Sequence, residues 1–288
     1  MATTHTLETP EAAIVYDVHG PAPAESPRPP LLLVGQPMTA EGFGTLASHF
    51  PDRTVVTYDP RGLGRSVRTD GRDDHVPAVQ AGDLHAVVQA LGAGPVDVFG
   101  SSGGAVAALA LVAAHPGDVG TLVAHEPPLV RALPDAGAAE RAAQGMRDAY
   151  QAKGFGAGMA AFMAMGSWRG EFTDDYFALP PADPAQAGLP TEDDGRRDDP
   201  LLSERSLAVT AYEPDVEALA AAPTRIVVAV GEESREVFTG RAAIGTAALL
   251  GQEATVFPSH HGGFLGGEFG YAGQPEAFAR KLREVLEG

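Results

Sequence analysis

The amino-acid sequence predicts an α/β protein built on a doubly wound, mostly parallel β-sheet. Short β-branched or apolar runs end in turn residues, which is the pattern of buried strands. Between them lie stretches in which apolar residues recur three and four positions apart, as on one face of a helix. Strands that alternate with helices form a sheet covered on both faces. The predicted strands are Ala13–Val18, Leu31–Val34, Thr54–Tyr58, Val96–Phe99, Thr121–Ala124, Arg225–Val230 and Ala254–Phe257.

The alternation of strand and helix fails in the middle of the chain. The helices predicted outside this region are Val76–Leu91, Gly104–Ala114, Arg241–Leu250 and Pro275–Leu286. Residues 128–207 are rich in Ala, Met and Gly, and then in Pro and Asp. We interpret 128–207 as a helical lid segment inserted into one core domain, which comprises residues 1–127 and 208–288. Within the lid segment, the prolines and acidic residues of 180–200 predict an exposed loop.

Composition and charge exclude several classes of function. With 288 residues and 44% apolar content, the chain is long enough to bury the core of a soluble globular protein. Its formal net charge of −18 argues against nucleic acid and membrane surfaces as partners, because both attract clustered Lys and Arg. The absence of cysteine excludes disulfides, thiolate metal sites and a cysteine nucleophile.

Two features of the chain lead us to expect a cytoplasmic protein. Residues 1–5 lack the basic and apolar regions that begin a secretory signal. The longest strongly apolar run, Ala105–Ala114, is too short to cross a bilayer. We therefore expect a small molecule, rather than a membrane or a nucleic acid, as the partner.

A tight turn of small residues carries the predicted nucleophile. The strand Val96–Phe99 is followed by Gly100–Gly104, with the sequence GSSGG, and then by a helix. A nucleophile on such a turn needs very small residues two positions before and after it, because the bend brings their backbones into contact. The two outer glycines bracket Ser102 and not Ser101, so we assign Ser102 as the nucleophile. A phosphate-binding turn is the alternative, but its lysine is missing.

The same turn provides one half of a predicted oxyanion hole. The backbone N–H of Gly103 stands at the start of the helix and would point toward an oxyanion formed on the substrate. A serine hydroxyl is a poor nucleophile near neutral pH. The chemistry therefore also needs a neutral imidazole that takes its proton and later passes it to the leaving group.

These motifs resemble those of the α/β-hydrolase superfamily, and the resemblance covers nearly the whole chain outside the lid segment. Tyr58–Ser66 (YDPRGLGRS) is similar to the superfamily's D-x-R-G-x-G-x-S loop, and Leu31–Pro37 (LLLVGQP) to its strand and oxyanion loop. The resemblance implies the α/β-hydrolase fold, with a helical lid inserted after the sixth strand. By position it assigns the second oxyanion donor to the backbone N–H of Gln36, although the usual His-Gly of that loop is Val-Gly here.

The resemblance also selects the base. His261 follows the last predicted strand, within Pro258–Phe264 (PSHHGGF), where superfamily members usually carry their catalytic histidine. We therefore assign His261 as the base in preference to His260. The adjacent histidines would also suit a metal ion, but no carboxylate stands at ligand spacing beside them. We predict neither a metal nor a cofactor.

The acidic partner of His261 departs from the common pattern. In most relatives an Asp ends a G-x-x-D turn after the strand that corresponds to Arg225–Val230. This chain has Gly-Glu-Glu-Ser there, with Ser234 in place of the Asp. A hydroxyl could orient the imidazole but could not offset its charge. Either Glu232 or Glu233 substitutes, or the acid lies elsewhere.

A second candidate acid, Glu126, follows the preceding strand within Ala124–Pro128 (AHEPP). There the chain resembles the zearalenone-type lactone hydrolases, whose acid is a Glu in a comparable His-Glu motif and which also lack an Asp after the next strand. The resemblance makes Glu126 our first choice, with Glu232 and Glu233 in reserve; a structural ion pair near the lid is the other interpretation of Glu126. One group of haloalkane dehalogenases places a Glu here too. However, dehalogenases and epoxide hydrolases use an Asp nucleophile where this chain has Ser102.

The predicted function is hydrolysis of a carboxylic ester or lactone of a fairly apolar small molecule through an acyl-enzyme. The lid segment has a soft apolar set that could line the substrate pocket, and we name Met163 and Trp168 from it, although plain core packing explains the set equally well. The set is Phe155, Met159, Phe162, Met163, Met165 and Trp168. The same triad could serve perhydrolysis, carbon–carbon bond cleavage or a lyase step. A ligand-binding protein without turnover is a third hypothesis, and an intact Ser, His and Glu set argues against it.

Overall fold

Seven of the nine strands in the structure coincide with the apolar runs of the sequence. The computed structural model describes residues 2–288. Its strands are β1 (Thr3–Glu8), β2 (Ala12–His19), β3 (Leu31–Val34), β4 (Val55–Tyr58), β5 (Val67–Arg68), β6 (Val96–Ser101), β7 (Val119–His125), β8 (Arg225–Gly231) and β9 (Thr255–Phe257). They form one sheet in the order β1-β2-β4-β3-β6-β7-β8-β9, and β5 pairs with β2. β2 is antiparallel to its neighbours, whereas the pairs from β4 to β9 are parallel. The predicted doubly wound, mostly parallel sheet is confirmed.

The helices begin and end at residues whose backbone preferences suit those positions. They are α1 (Gly44–Ser48), α2 (Pro77–Leu91), α3 (Gly103–Ala114), α4 (Ala136–Lys153), α5 (Phe155–Ser167), α6 (Asp174–Phe177), α7 (Leu207–Thr210), α8 (Val216–Ala221), α9 (Phe238–Leu249) and α10 (Pro275–Glu287), with 3-10 turns at Ala40–Phe43, Val130–Ala132, Glu204–Ser206 and Glu268–Gly270. Proline stands in the first turn of α2 and α10, where its missing N–H would have no helical partner. Between residues 2 and 288, no helix is long and apolar enough to cross a membrane.

Alternation along the central strands covers both faces of the sheet. Successive side chains of a strand point to opposite faces, so a strand buried on both sides is apolar at every position. In β3, Leu32 belongs to the apolar cluster that contains α2 and α3. Leu31 and Leu33 belong to the cluster on the other face, which includes Phe278 and Leu282 of α10. The helices therefore form two outer layers, as the α/β-hydrolase fold requires.

The two strands that the sequence analysis missed lack an apolar run. β1 has the sequence TTHTLE, and almost every one of its residues is exposed. It lies at the edge of the sheet and pairs only with β2. β5 is two residues long. Pairing with β2 rather than burial makes these segments strands, and hydrophobic periodicity does not report pairing.

The chain between β7 and β8 is helical and then irregular. It contains α4 to α8, and β7 is the sixth strand along the eight-stranded path that leaves out β5. No helix or strand occurs from residue 178 to 203, and most of residues 180–200 are exposed, as predicted for a loop. Val209 of α7 and Leu219 of α8 pack in the same cluster as α3. The limits 128 and 207 of the lid segment remain a prediction.

The loop that follows β4 fixes the segment beside the predicted oxyanion loop. Buried Asp59 accepts hydrogen bonds from the backbone N–H groups of Ala40 and Arg65, both at 2.9 Å. Ser66 Oγ donates to the Asp59 carbonyl at 2.7 Å and accepts from the Val15 N–H at 2.8 Å. Since these bonds are internal to the fold, this motif supports the site without contributing a reacting group.

Replacing Gly104 by alanine is expected to lower the free energy of unfolding. A Cβ atom at Gly104 would lie 2.1 Å from the Val34 carbonyl oxygen, which is backbone and cannot move aside alone. We expect a loss of about 3 kcal/mol, the upper part of the usual range for overpacking. Gly82→Ala is the matched control, because Gly82 is also helical but exposed, and its Cβ would meet nothing within 4 Å. The control should gain up to about 1 kcal/mol from helix propensity. Denaturant unfolding measures both, and a wild-type value for Gly104→Ala would contradict this close approach.

Candidate active site

Ser102 stands at a sharp turn between β6 and α3. Its backbone has φ 57° and ψ −128°, a conformation that costs a residue with a side chain about 1–3 kcal/mol. The Ser102 N–H donates to the carbonyl oxygen of His125 at 2.9 Å, which ties the turn to the end of β7. A Cβ at Gly100 would lie 2.8 Å from Ala105 Cα. The crowding across the turn that the sequence analysis expected is therefore present.

The two predicted oxyanion donors lie next to each other. Gly103 is the first residue of α3, where helix geometry leaves its N–H without an intrahelical acceptor. A Cβ on Gly103 would lie 2.8 Å from the Gln36 carbonyl oxygen, so the two backbones are in contact. Gln36, Ser102 and Gly103 all line one cavity. In the described residues the Gln36 N–H donates to no acceptor, and it is free to bind a substrate oxygen.

His261 and Glu126 form a hydrogen-bonded pair. The distance from His261 Nδ1 to Glu126 Oε2 is 2.7 Å. The same carboxylate oxygen accepts from the Thr239 hydroxyl at 2.6 Å, and Oε1 accepts from the Gly231 N–H at 2.8 Å. Burial alone would raise the pKa of the Glu126 carboxyl, but the hydrogen bond from His261 holds that pKa well below its ordinary value. Glu126 is therefore a buried, ionised acceptor.

The strand ends explain how the chain places Glu126. It follows the last residue of β7, and its N–H donates to the Ala229 carbonyl of β8 at 3.0 Å. Its φ of 46° turns the side chain away from the strand direction and is uncommon for a residue other than glycine. A Cβ on Gly231 would lie 3.1 Å from Glu126 Oε1 and 2.6 Å from the Ser259 carbonyl oxygen. The absence of a side chain at Gly231 lets the carboxylate reach between β8 and the His261 loop.

The reserve acids Glu232 and Glu233 lie apart from the histidines. Both are exposed, and neither makes a hydrogen bond to an imidazole in the described part of the chain. Glu232 accepts only a long bond, 3.4 Å, from the Ser259 N–H. The end of β8 thus contributes the backbone N–H of Gly231 to the pair, and the turn after it contributes no carboxylate.

Of the two adjacent histidines, His261 is the one that faces the carboxylate. His260 Nδ1 accepts from the Gly262 N–H at 3.1 Å, and its Nε2 lies 3.4 Å from the Ala272 carbonyl oxygen. His260 therefore stabilises its own loop. Within residues 2–288, no hydrogen bond joins Ser102 Oγ to His261. Such bonds are often long before substrate binds and tighten only in the complex, so joint action of these two groups stays a prediction.

His125, which the sequence analysis did not single out, is buried beside this pair. Its Nδ1 lies 3.2 Å from Ser101 Oγ, and its ring centroid is 5.9 Å from that of His261. Its Nε2 lies 3.9 Å from Glu126 Oε1 and has no hydrogen-bond partner among residues 2–288. Burial lowers its pKa to about 4, so the ring is neutral near pH 7. The signal that could have found it is its position at the end of a buried strand, opposite Ser101.

The cavity at Ser102 has a volume of about 70 Å³ and lies between the sheet and the lid segment. Phe162 and Met165 of α5 form part of its wall. Met163 and Trp168 do not line it, which corrects our prediction for these two residues. Met163 is 41% exposed, and the Trp168 indole N–H donates to the Glu171 carbonyl at 2.9 Å. Phe162 and Met165 belong to the apolar set that we proposed for the pocket wall.

A group of possible metal ligands lies at the other end of the sheet. His85, His115 and Asp118 offer ligand atoms within 4.8 Å of one another. Asp118 precedes β7, whereas Glu126 follows that strand, so this group and the Ser102 cavity are separated by the length of β7. Asp118 already binds His85 Nδ1 at 2.6 Å and Gln89 Nε2 at 3.0 Å, so the cluster is internally bonded. It contributes nothing to the Ser102 site.

Comparison with known proteins identifies the family. The family model described as "Alpha/beta hydrolase family" matches residues 31–281, which is most of the chain. The chain belongs to the alpha/beta hydrolase family. The resemblance that the sequence motifs indicated is thereby confirmed.

This hydrolase resembles other members over nearly its full length. It is 30% identical over 288 residues to the uncharacterized hydrolase YraK of Bacillus subtilis strain 168, covering 98% of this chain and 95% of that one. The structure of the esterase RhEst1 from Rhodococcus sp. ECU1013 has a TM-score of 0.62 at 21% identity, covering 100% of this chain and 98% of that one. A mutant of the N-acyl homoserine lactonase AidH, complexed with N-hexanoyl homoserine, has a TM-score of 0.60 at 16% identity, covering 100% and 95%. At these identities the two structures show a shared fold.

Proposed function

We propose that this hydrolase cleaves a carboxylic ester or lactone, with Ser102 as nucleophile, His261 as general base and Glu126 as the acid. The observation that carries the proposal is the 2.7 Å hydrogen bond between His261 Nδ1 and Glu126 Oε2. An ionised carboxylate can only accept, so Nδ1 of the neutral ring must hold the proton. The lone pair then lies on Nε2, which is the nitrogen that can take a proton from serine.

The first half of the reaction acylates the enzyme. Ser102 Oγ attacks the carbonyl carbon while His261 Nε2 takes the hydroxyl proton. The negative charge that forms on the carbonyl oxygen is held by the N–H groups of Gly103 and Gln36. The imidazolium gives its proton to the departing alkoxide, and the bond to the alcohol breaks. The acyl group remains on Ser102; for a lactone, the alcohol is the other end of the same molecule.

The second half returns the enzyme to its first state. Water attacks the acyl carbon, and His261 Nε2 takes a proton from it. The second tetrahedral intermediate collapses, the carboxylic acid leaves, and the proton passes from His261 to Ser102 Oγ. In each half, buried Glu126 offsets the positive charge of the imidazolium. Every step uses groups of this chain, so the proposal requires no metal or cofactor.

Several features support ester or lactone chemistry over other uses of a triad. The cavity beside Ser102 has an apolar wall that includes Phe162, Met165 and Phe238, which suits a small organic acyl group. Two relatives of this fold are named as an esterase and as a lactonase. Perhydrolysis, carbon–carbon cleavage and lyase chemistry would give different products from the same substrate. Product analysis after incubation with esters and lactones distinguishes them.

A fluorophosphonate probe is expected to label Ser102 and no other residue. The probe forms a covalent bond with a serine only where a base removes the hydroxyl proton and donors hold the phosphoryl oxygen. Peptide mass spectrometry locates the adduct. We expect Ser102→Ala to abolish labelling and Ser101→Ala to retain it. A label on Ser101, or an unlabelled native protein, would refute the assignment of the nucleophile.

A further inference from the structure

Arg147 is a buried arginine that lacks a carboxylate partner. Arg147 is 9% exposed, and Arg53 and Arg61 are also buried. Arg53 binds Asp97 at 2.8 Å, and Arg61 binds both carboxylate oxygens of Asp83 at 2.6 and 2.7 Å. In the described chain, no carboxylate oxygen lies within 4.0 Å of the Arg147 guanidinium. Burying a charge without a partner is costly, so Arg147 calls for an explanation.

The local contacts of Arg147 leave most of its donors unused. Nε and Nη2 donate to the side-chain oxygen of Gln144, one turn earlier on α4, at 3.3 and 2.9 Å. A guanidinium has five N–H donors, so three have no acceptor among the described residues. Burial lowers the pKa of Arg147, while Asp148 and Glu204 oppose this effect from a distance. The side chain remains charged, because the ordinary pKa of arginine is above 12.

Arg147 lines the same cavity as Ser102. Arg147 lies on α4, which forms part of the cavity wall on the side of the lid segment. Ser102 and Gln36 form part of the wall on the side of the core domain. The Gln36 side-chain amide is also buried, and neither its oxygen nor its nitrogen has a hydrogen-bond partner in the part of the chain that the structure describes. The rest of the wall is mostly apolar and includes Met165 and Val209. Among the described residues, the cavity thus has a cation without a carboxylate partner and an amide group without a hydrogen-bond partner.

We propose that Arg147 binds a carboxylate on the acyl part of the substrate, so that this hydrolase acts on esters or lactones of acids that carry a second, ionised carboxyl group. The inference rests on the proposed function of Ser102. Arginine and carboxylate form strong, charge-assisted and often bidentate hydrogen bonds. We place the anion on the acyl part because that part stays bonded to Ser102, and hence in this cavity, after the alcohol leaves. The apolar wall then contacts the chain between the two carboxyl carbons.

The test compares two esters that differ at the far end of the acyl chain. p-Nitrophenyl hydrogen adipate carries a terminal carboxylate, and p-nitrophenyl hexanoate carries a methyl group in its place. We expect the native enzyme to have the higher kcat/KM for the adipate ester. Arg147→Met should lower the ratio of the adipate to the hexanoate kcat/KM by about 10–100-fold, the range for losing a hydrogen bond between charged groups. Arg147→Lys should keep part of the preference.

Arg141→Met provides the matched control. Arg141 lies on the same helix, but its side chain is exposed, rests on the Phe177 ring and does not line the cavity. This variant removes the same charge, so an unchanged ratio between the two esters shows that net charge is not the cause. An equal loss on both esters in Arg147→Met would show a purely structural role and overturn the inference. So would a native enzyme that hydrolyses the hexanoate ester at least as well as the adipate ester.

A binding measurement separates failure of this inference from failure of the proposed function. We expect adipate to raise the melting temperature of Ser102→Ala, hexanoate to raise it less, and the additional change Arg147→Met to abolish the effect of adipate. If the native enzyme hydrolyses neither ester, the proposed function fails. A rise in melting temperature with adipate that depends on Arg147 would still support an anion site there. Hydrolysis of the hexanoate ester together with an adipate effect that persists without Arg147 would reject the anion site and leave the proposed function intact.

Discussion

Replacing Ser102 by alanine is expected to lower kcat for ester hydrolysis by about 10⁶-fold, the loss found when a triad serine is removed. The change removes the atom that attacks the substrate and leaves the binding surface in place. KM should therefore change little. The strained turn around residue 102 is set by contacts of the neighbouring glycines, so the variant should fold normally. The burst phase and the steady-state rate of p-nitrophenyl ester hydrolysis measure the effect.

Ser101→Ala is the matched control for this prediction. Ser101 is the adjacent serine, is 2% exposed, and binds His125 Nδ1 rather than substrate. Its removal leaves a buried imidazole nitrogen unpaired and should cost about 1–3 kcal/mol of stability, while activity is retained at a temperature where the variant is folded. Equal activity of Ser102→Ala and the native enzyme would exclude Ser102 as the nucleophile.

The position of the nucleophile could be predicted from sequence because the cause is local. A strand that turns directly into a helix brings the residues two positions before and after the bend into contact, and only glycine fits there. Gly100 and Gly104 satisfy this demand against Ala105 and Val34. Every residue that defines the turn lies within a few positions of Ser102, except Val34. Strands buried on both faces could also be predicted from sequence, because their apolar runs are continuous.

The partners of the imidazole were harder to choose because they come from three separate strand ends. Glu126 follows β7, Gly231 ends β8, and His261 follows β9. Sequence alone offered Glu126, Glu232 and Glu233 at two such ends, and a resemblance rather than a physical argument ranked them. In the structure, the 2.8 Å bond from the Gly231 N–H shows that the end of β8 receives a carboxylate from the neighbouring strand. That arrangement depends on strand order, which hydrophobic patterns do not report.

The sequence did not show which apolar residues of the lid segment line the pocket, and the reason is different. Helix α5 has the sequence FGAGMAAFMAMGS, which is apolar or small around its whole circumference. A helix without a polar face does not indicate which side meets a cavity. The members of the apolar set were therefore chosen by residue type; of these, the structure turns Phe162 and Met165, rather than Met163 and Trp168, toward the cavity. Arg147 escaped notice because a single arginine in an amphipathic helix ordinarily faces solvent.

Replacing Glu126 by glutamine is expected to lower kcat by about 10⁴-fold with little change in KM, the loss typical of a neutralised triad acid. The carboxylate now accepts from the Gly231 N–H on one oxygen and from Thr239 and His261 on the other. An amide has only one oxygen, so its NH₂ group must face one set of these donors. If it faces His261, it favours the tautomer with the proton on Nε2, which cannot accept the proton of Ser102. If the NH₂ group faces Gly231 instead, it opposes the Gly231 N–H, which is also a donor. In both orientations the imidazolium loses its counter-charge.

Variants of the reserve acids test whether the loss of kcat is specific to Glu126. Glu232→Gln and Glu233→Gln make the same chemical change at exposed positions and should retain nearly native kcat, because neither side chain contacts an imidazole. Glu126→Asp keeps the charge but shortens the side chain, so it should retain more activity than Glu126→Gln. Circular dichroism and melting temperature show whether each variant is folded. A folded Glu126→Gln enzyme with native kcat, or a large loss in Glu232→Gln alone, would transfer the role of the acid to the turn after β8.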